Sequence, residues 1–240
     1  MRVLICGAGI AGLTLAWCLE RRGHDPVVVE RAPHLRDDGY MIDFFGSGFD
    51  AAERLGLLPA LESIHYPVDR LVFVNERGAE RFAVPYPVLR KRLFANRVYG
   101  DLGWAVPELL AQCRSARSIY FDAVEQVRMP GWSTGRVVLL GDACQCVSPL
   151  AGQGASMALT AAYLLAEALD VDDVPRVLRR YEKRLKPAIE RQQEAGRRIA
   201  KWFVPEDTPH RIVRDLATRM SAWPGVAGLI KARMAAESVF

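Results

Sequence analysis

Six residues near the start, Gly7-Ala-Gly9-Ile-Ala-Gly12, constrain this chain more than any other feature. They follow a short apolar run, Arg2–Cys6, and precede a segment, Leu13–Arg22, with apolar residues at 13, 15, 16 and 19. The run reads as a buried strand and the segment as a helix. Gly23 stops that helix, and Pro26–Glu30, rich in valine, reads as a second buried strand. Within such a β-α-β unit each glycine has its own job. Gly7 permits a tight turn, Gly9 lets the backbone approach a pyrophosphate, and Gly12 allows the helix to sit close to the strand. The helix start at Ile10 and Ala11 offers N–H groups and a positive dipole end to phosphate oxygens. Glu30 follows Gly12 by eighteen residues and can accept hydrogen bonds from an adenosine ribose. Its charge also disfavours a 2′-phosphate, so NADP is not expected in this site. A dinucleotide site, rather than a purely structural turn, is the reading these residues support.

The remaining segments organise around that unit. Asp50–Leu58 reads as a short amphipathic helix, and Leu71–Asn75 with Glu80–Val84 as a hairpin turning at Arg77-Gly78. Helices are expected over Val88–Asn96 and Pro107–Arg114, and a strand over Ile119–Met129. Arg136–Leu140 reads as a third buried strand, entering Gly141-Asp142. After a Ser148-Pro149 and glycine-rich loop, Ala155–Leu169 is a strongly apolar helix. Val174–Phe203 is a long basic helix, and a last helical segment covers about 210 to 236.

Bulk properties exclude several classes. Half of the 240 residues are apolar and 25% are charged, as in ordinary globular proteins, and the net charge of +4 does not suggest a nucleic-acid surface. No apolar stretch reaches the length of a membrane span, and no charged segment leads an apolar signal. Five cysteines with no paired spacing point to free thiols in a reducing cytoplasm. Cys144-x-Cys146 lacks the further ligands a metal site needs, so packing is the better reading and no metal is expected.

The stretch Gly135-Arg-Val-Val-Leu-Leu-Gly141-Asp142-Ala143, then Ser148-Pro-Leu-Ala-Gly152-Gln-Gly154-Ala155-Ser-Met, resembles the Gly-Asp segment of the FAD-dependent aromatic hydroxylases, the p-hydroxybenzoate hydroxylase-like family. The resemblance implies that Asp142 holds the ribityl chain and that the backbone of Gly152–Gly154 approaches the isoalloxazine. The residues agree physically. A strand delivers one carboxylate, glycines clear a path for the ring, and the helix from Ala155 points a positive end at the flavin edge that turns negative on reduction. Glu30-Arg31-Ala-Pro33 and Gly39-Tyr-Met-Ile-Asp43-Phe are similar to the family's segment after the second strand, with Arg31 flanking the adenine. Leu89-Arg90-x-x-Leu93 resembles a helix start where the arginine contacts the cofactor, and Tyr181-Glu-x-x-Leu-x-Pro187 resembles the family's C-terminal helices.

The resemblance falls in two pieces that meet near residues 95 to 102. Relatives insert there a cofactor-domain strand with an Asp-Gly motif and most of the substrate-binding sheet. Asp38-Gly39 sits in the wrong place to be that motif and reads as an ordinary turn. The expected architecture is α/β: a Rossmann-like FAD-binding layered fold of glutathione-reductase type, with a truncated substrate domain and C-terminal helices. Residues 1–95 form the first part of the FAD-binding domain with a hairpin, 96–132 the remnant of the substrate domain, 133–170 the second FAD-binding part, and 171–240 the C-terminal helices. Trp104, Tyr120, Phe121, Trp132, Trp202 and Phe203 are available to close a pocket, although such residues are more often core.

Three functional readings follow. The first is a shortened FAD-dependent monooxygenase acting on an aromatic or polyketide-like small molecule, with NADH or NADPH as transient reductant. It needs no side-chain base, because the flavin carries the chemistry. The second is a non-redox, cyclase-like enzyme on a flavoprotein scaffold. The third is a non-catalytic flavin-binding or partner protein. The expected partner is a small-molecule substrate, with neither nucleic acid nor membrane, and a homodimer is compatible with all three.

Overall fold

The structure, a computed structural model, describes residues 1–34, 46–65, 70–74, 80–85, 125–147, 153–169 and 173–203, with residues 213 and 216. Contacts divide the chain into two units, one of Met1–Leu58, Glu125–Thr208 and Ala236–Phe240, the other of Pro59–Val124 and Pro209–Ala235.

The first unit opens with strand β1 (Arg2–Cys6), helix α1 (Ile10–Glu20) and strand β2 (Asp25–Val29). The strands pair in parallel, from Arg2 opposite Asp25 to Cys6 opposite Val29. Helix α1 ends in a turn in which Gly23 takes a φ of 75°, a region that favours glycine. The helix begins inside the glycine loop, at Ile10 rather than Leu13, because Gly9 already accepts the first helical bond from Leu13 N–H. The strands are half-buried, not buried on both faces as their mostly apolar sequence suggests. Ile5 is in the core with Val3 and Val28 packed against it, while Leu4 is 65% exposed and Cys6, Val27 and Val29 share its exposure. Side chains alternate across a strand, and only the inward row meets the helices.

Helix α2 (Ser47–Arg54) ends before Gly56, whose φ is 69°, and helix α3 (Leu58–Ile64) starts afresh, where a single helix over Asp50–Leu58 was expected. Strands β3 (Arg70–Val74) and β4 (Glu80–Pro85), in the second unit, form the expected antiparallel hairpin, with an irregularity at Phe73/Val74. The turn expected at Arg77-Gly78 and the helices expected over Val88–Asn96 and Pro107–Arg114 lie outside the described residues. So does most of the segment from 210 to 236, of which Val213 and Leu216 are helical and exposed.

Two strand expectations are corrected. Glu125–Met129 is irregular rather than the end of a strand. Arg136–Leu140 contributes only β6 (Val137–Val138), which turns back on β5 (Ser133–Thr134) instead of extending the parallel sheet. Gly135, at φ 53°, makes the two-residue turn, and Leu139 N–H donates to Trp132 O at 2.8 Å, so these backbone groups are spent on a small hairpin. Val137 is 64% exposed as a result.

Three helices complete the unit: α4 (Asp142–Gln145), α5 (Gly154–Ala168) and α6 (Val174–Phe203). Helix α5 is apolar nearly all round and is accordingly buried, from Ser156 to Ala162 and again at Leu164, Leu165 and Ala166. It packs against α1, α2, α4 and α6 and forms the centre of the core. The contact with α2 is very close: a Cβ on Gly48 would lie 2.3 Å from the Ser156 side chain. Helix α6 is amphipathic and buries Val174, Val177, Leu178, Tyr181, Leu185 and Ile189 against that core, which sends its arginines outward.

Candidate FAD-binding site

The glycine loop is held from both ends. Gly7 leaves β1 with a φ of 111°, and its N–H donates to Val29 O at 2.7 Å, clipping the loop to β2. Glu30 closes it from the other side, accepting the Ala8 N–H at 2.7 Å and the Ala32 N–H at 2.8 Å. This clamp was not foreseen, because an acid ending a strand carries no sequence mark of which backbone groups it will meet. A carboxylate accepts at more than two positions, so holding the loop and receiving a ribose hydroxyl are compatible roles.

Gly9 and Gly12 face opposite surroundings. A Cβ on Gly12 would sit 2.0 Å from Gly7 O and 3.3 Å from Ile5 Cγ2, so the helix lies directly on the strand end. A Cβ on Gly9 would meet no atom within 4 Å. No side chain caps α1 and no acid stands in its first turn, so open space, donor N–H groups and a positive dipole end coincide at Gly9, Ile10 and Ala11. That combination suits the pyrophosphate of a dinucleotide.

The second glycine turn meets the first. Gly141 has a φ of 61°, and a Cβ there would come within 2.9 Å of Ala11 Cβ. Contact at this range puts Asp142, the exposed first residue of α4, beside the glycine loop. Gly154 and Ala155 begin α5, which carries no side-chain cap and no acid in its first turn. Arg31 is exposed immediately after β2. Arg90 and Gly152 lie outside the described residues, as do Trp104, Tyr120 and Phe121. Trp132 is core, its ring 6.4 Å from that of Tyr181.

Buried polar side chains hold the second turn. Gly141 N–H donates to Gln145 Oε1 at 3.2 Å, and Gln145 Nε2 donates to Tyr181 Oη at 2.9 Å. Burial, partly opposed by the Gln145 bond, pushes the Tyr181 phenol well above its ordinary value and keeps it protonated. Gln193 Nε2 donates to Val127 O at 2.7 Å and Cys146 O at 3.0 Å, while Gln126 Nε2 reaches Val147 O and Gln193 O. Burial raises the Cys144 thiol to about 12, with Glu182 adding to the effect, so it is a packed, unreactive thiol. Neither Gln145 nor Gln193 stands out in the sequence; they reveal themselves only through the carbonyls and amides they reach.

Comparison with known proteins points to the cofactor FAD. Residues 2–39 match the family described as FAD dependent oxidoreductase, and residues 108–194 match FAD binding domain. A flavin-dependent monooxygenase of Legionella longbeachae serogroup 1 (strain NSW150) is 34% identical over 119 residues, 49% of this chain and 31% of that protein. The 3-hydroxy-4-methyl-anthranilyl-(aryl-carrier protein) 5-monooxygenase of Streptosporangium sibiricum is 35% identical over 159 residues, 64% of this chain and 40% of that protein. Among solved structures, tetracycline destructase Tet(51) superposes with a TM-score of 0.72 at 19% identity, covering 99% of this chain and 98% of that one. HpxO of Klebsiella pneumoniae, complexed with FAD and uric acid, gives 0.72 at 13% identity, covering 100% and 98%.

The fold and the two family matches define an FAD-binding flavoprotein of Rossmann-like architecture. Within that class the chain is similar to flavin-dependent monooxygenases, and the likeness covers about half of it. The matched segment is 31% of the length of the Legionella relative and 30% of two others.

Proposed function

We propose that this chain is a shortened FAD-dependent monooxygenase acting on an aromatic or polyketide-like small molecule, with NADH or NADPH as the electron source. The observation that carries the proposal is the contact of Gly141 with Ala11, which brings the Gly-Asp turn onto the start of the phosphate-binding helix. In a dinucleotide site of this kind the Gly7–Gly12 loop and the first turn of α1 hold the pyrophosphate, and Glu30 receives the adenosine ribose. Asp142 accepts from the ribityl hydroxyls, and Arg31 lies over the adenine end. Gly154 and Ala155 begin the helix whose positive end faces the ring edge where negative charge develops on reduction. The bound flavin would supply the redox chemistry; the chain's own residues bind it, orient it and stabilise that charge. Arg90 and Gly152 complete the proposed set.

The substrate class is argued from relatives. One acts on an anthranilyl group tethered to a carrier protein, and others are a tetracycline destructase and an enzyme crystallised with uric acid. All three ligands present electron-rich or fused rings. A homodimer and a cytoplasmic setting remain part of this reading; among the described residues no helix is long and apolar enough to cross a membrane.

The test is an absorbance spectrum of the purified chain with added FAD, followed by anaerobic titration with NADH or NADPH. Flavin that binds and bleaches supports the proposal. A protein that stays colourless with FAD in excess refutes flavin binding. One that binds flavin but never bleaches, and turns substrate over without nicotinamide or oxygen, is a non-redox enzyme.

A further inference from the structure

Gly141 cannot be supported by a regular ladder. Its backbone, at φ 61° and ψ −144°, belongs to neither helix nor ordinary strand, and the preceding residues are committed to the Ser133–Val138 hairpin. Its N–H goes instead to a side chain, Gln145 Oε1. A peptide N–H can only donate, so this bond fixes which end of the Gln145 amide is oxygen. The nitrogen end must then donate, and Tyr181 Oη at 2.9 Å is its acceptor. Gln145 is 2% exposed and Tyr181 4%, so water does not replace either partner. Asp142, by contrast, is exposed, and no side-chain partner holds it among the described residues. Its direction is set by the turn beneath it.

We infer that Tyr181 is a positioning residue for the flavin: through Gln145 it fixes the Gly141-Asp142 turn in the orientation that binds the ribityl chain. The inference rests on the FAD reading above and adds to it a residue of α6 that never touches the cofactor. A buried chain of three groups linked by two hydrogen bonds is rigid when complete and costly when broken, because the freed amide nitrogen cannot reach water. The turn is then the part that relaxes, since glycine resists displacement least.

The test compares Tyr181→Phe, which removes only the hydroxyl, with Ser133→Ala. The second variant removes a bond from Ser133 Oγ to Glu182 Oε2 of 2.9 Å, a contact of the adjacent α6 residue that does not lead to Gly141. In the intact 240-residue chain, flavin fluorescence quenching should show FAD binding weakened about tenfold by Tyr181→Phe, the size expected of one buried donor left unmatched. The visible band of the bound flavin should shift as well. Ser133→Ala should lower the melting temperature while FAD binding stays within about twofold of the parent. In the flavin-free protein, amide hydrogen exchange at Gly141 should accelerate in Tyr181→Phe alone. Should Tyr181→Phe not purify, Gln145→Met keeps the side-chain length, removes both bonds and is judged by the same readouts. Parental affinity and exchange in the tyrosine variant, or equal weakening by both variants, would reduce Tyr181 to a structural residue. Unchanged Gly141 exchange overturns the relay whatever the flavin result, and failure of the unsubstituted chain to bind FAD overturns the cofactor reading whatever the exchange result.

Discussion

Gly9 and Gly12 are three residues apart and look interchangeable in a motif, yet their surroundings assign them opposite sensitivities. Gly12→Ala would drive a methyl to 2.0 Å from the Gly7 carbonyl, and backbone there has no room to yield. It should cost about 3 kcal/mol, the upper part of the range for overpacking, and lower the melting temperature with or without flavin. Gly9→Ala has no neighbour within 4 Å, and its extended backbone suits any residue. The folded chain should keep its melting temperature but lose FAD affinity by roughly a hundredfold, as a methyl in the pyrophosphate's path displaces donors that cannot be replaced. Thermal melts and flavin titrations of the two variants check both statements; a Gly9→Ala protein that binds FAD normally would remove the pyrophosphate from this loop. Glu30 illustrates the same scale. Its two bonds to Ala8 and Ala32 make it a clamp before it is a ligand, so Glu30→Gln should loosen the loop even without cofactor.

Between elements, α6 is stapled to the 125–147 segment by side chains as well as by its apolar face. Glu182 accepts from Ser133 N at 3.1 Å and Ser133 Oγ at 2.9 Å, with Lys186 at 3.8 Å, while Lys186 also donates to Pro130 O. Burial alone would raise the Glu182 carboxyl, but the bonds from Ser133 and Trp132, together with Lys186, outweigh it and hold the group below its ordinary value. A carboxyl depressed in the folded state contributes stability above its unfolded pKa, and that stability is lost as pH falls through the folded one. The melting temperature should therefore decline as pH drops below the ordinary carboxylate range. Glu182→Gln should cost about 1–2 kcal/mol at neutral pH and flatten that decline. Melting curves of both proteins against pH will converge at low pH if the assignment is right. Helix α5 sets a larger scale of loss: Leu165, 1% exposed at the centre of the core, should cost about 3 kcal/mol when cut to alanine, measured by denaturant unfolding.

For the whole molecule, the cofactor should itself be a stabiliser. A ligand that binds only the folded state and is present at a hundred times its dissociation constant adds about 2.7 kcal/mol. For a chain of this size that is a rise of roughly 5–10 °C in melting temperature, growing with FAD concentration. A melting curve indifferent to FAD would contradict the site described above. Much of the first unit was legible without coordinates. The strand, glycine loop, helix and second strand announce themselves through period and glycine spacing, and Val174–Phe203 matches its sequence pattern to the residue, because both are local effects of backbone geometry. What the residues could not declare is who sits beside whom. Arg136–Leu140 has the composition of a buried strand, but its hydrogen bonds go to the neighbouring Ser133–Thr134, and pairing is a contest among distant segments that composition does not score. Leu4 and Val27 read as core yet face outward for the same reason. The amino-acid order determined the glycine loop and the helices that frame it. Tertiary packing alone decided that Gly141 meets Ala11 and that Tyr181 reaches the turn through Gln145, since those contacts join segments that share no local signal.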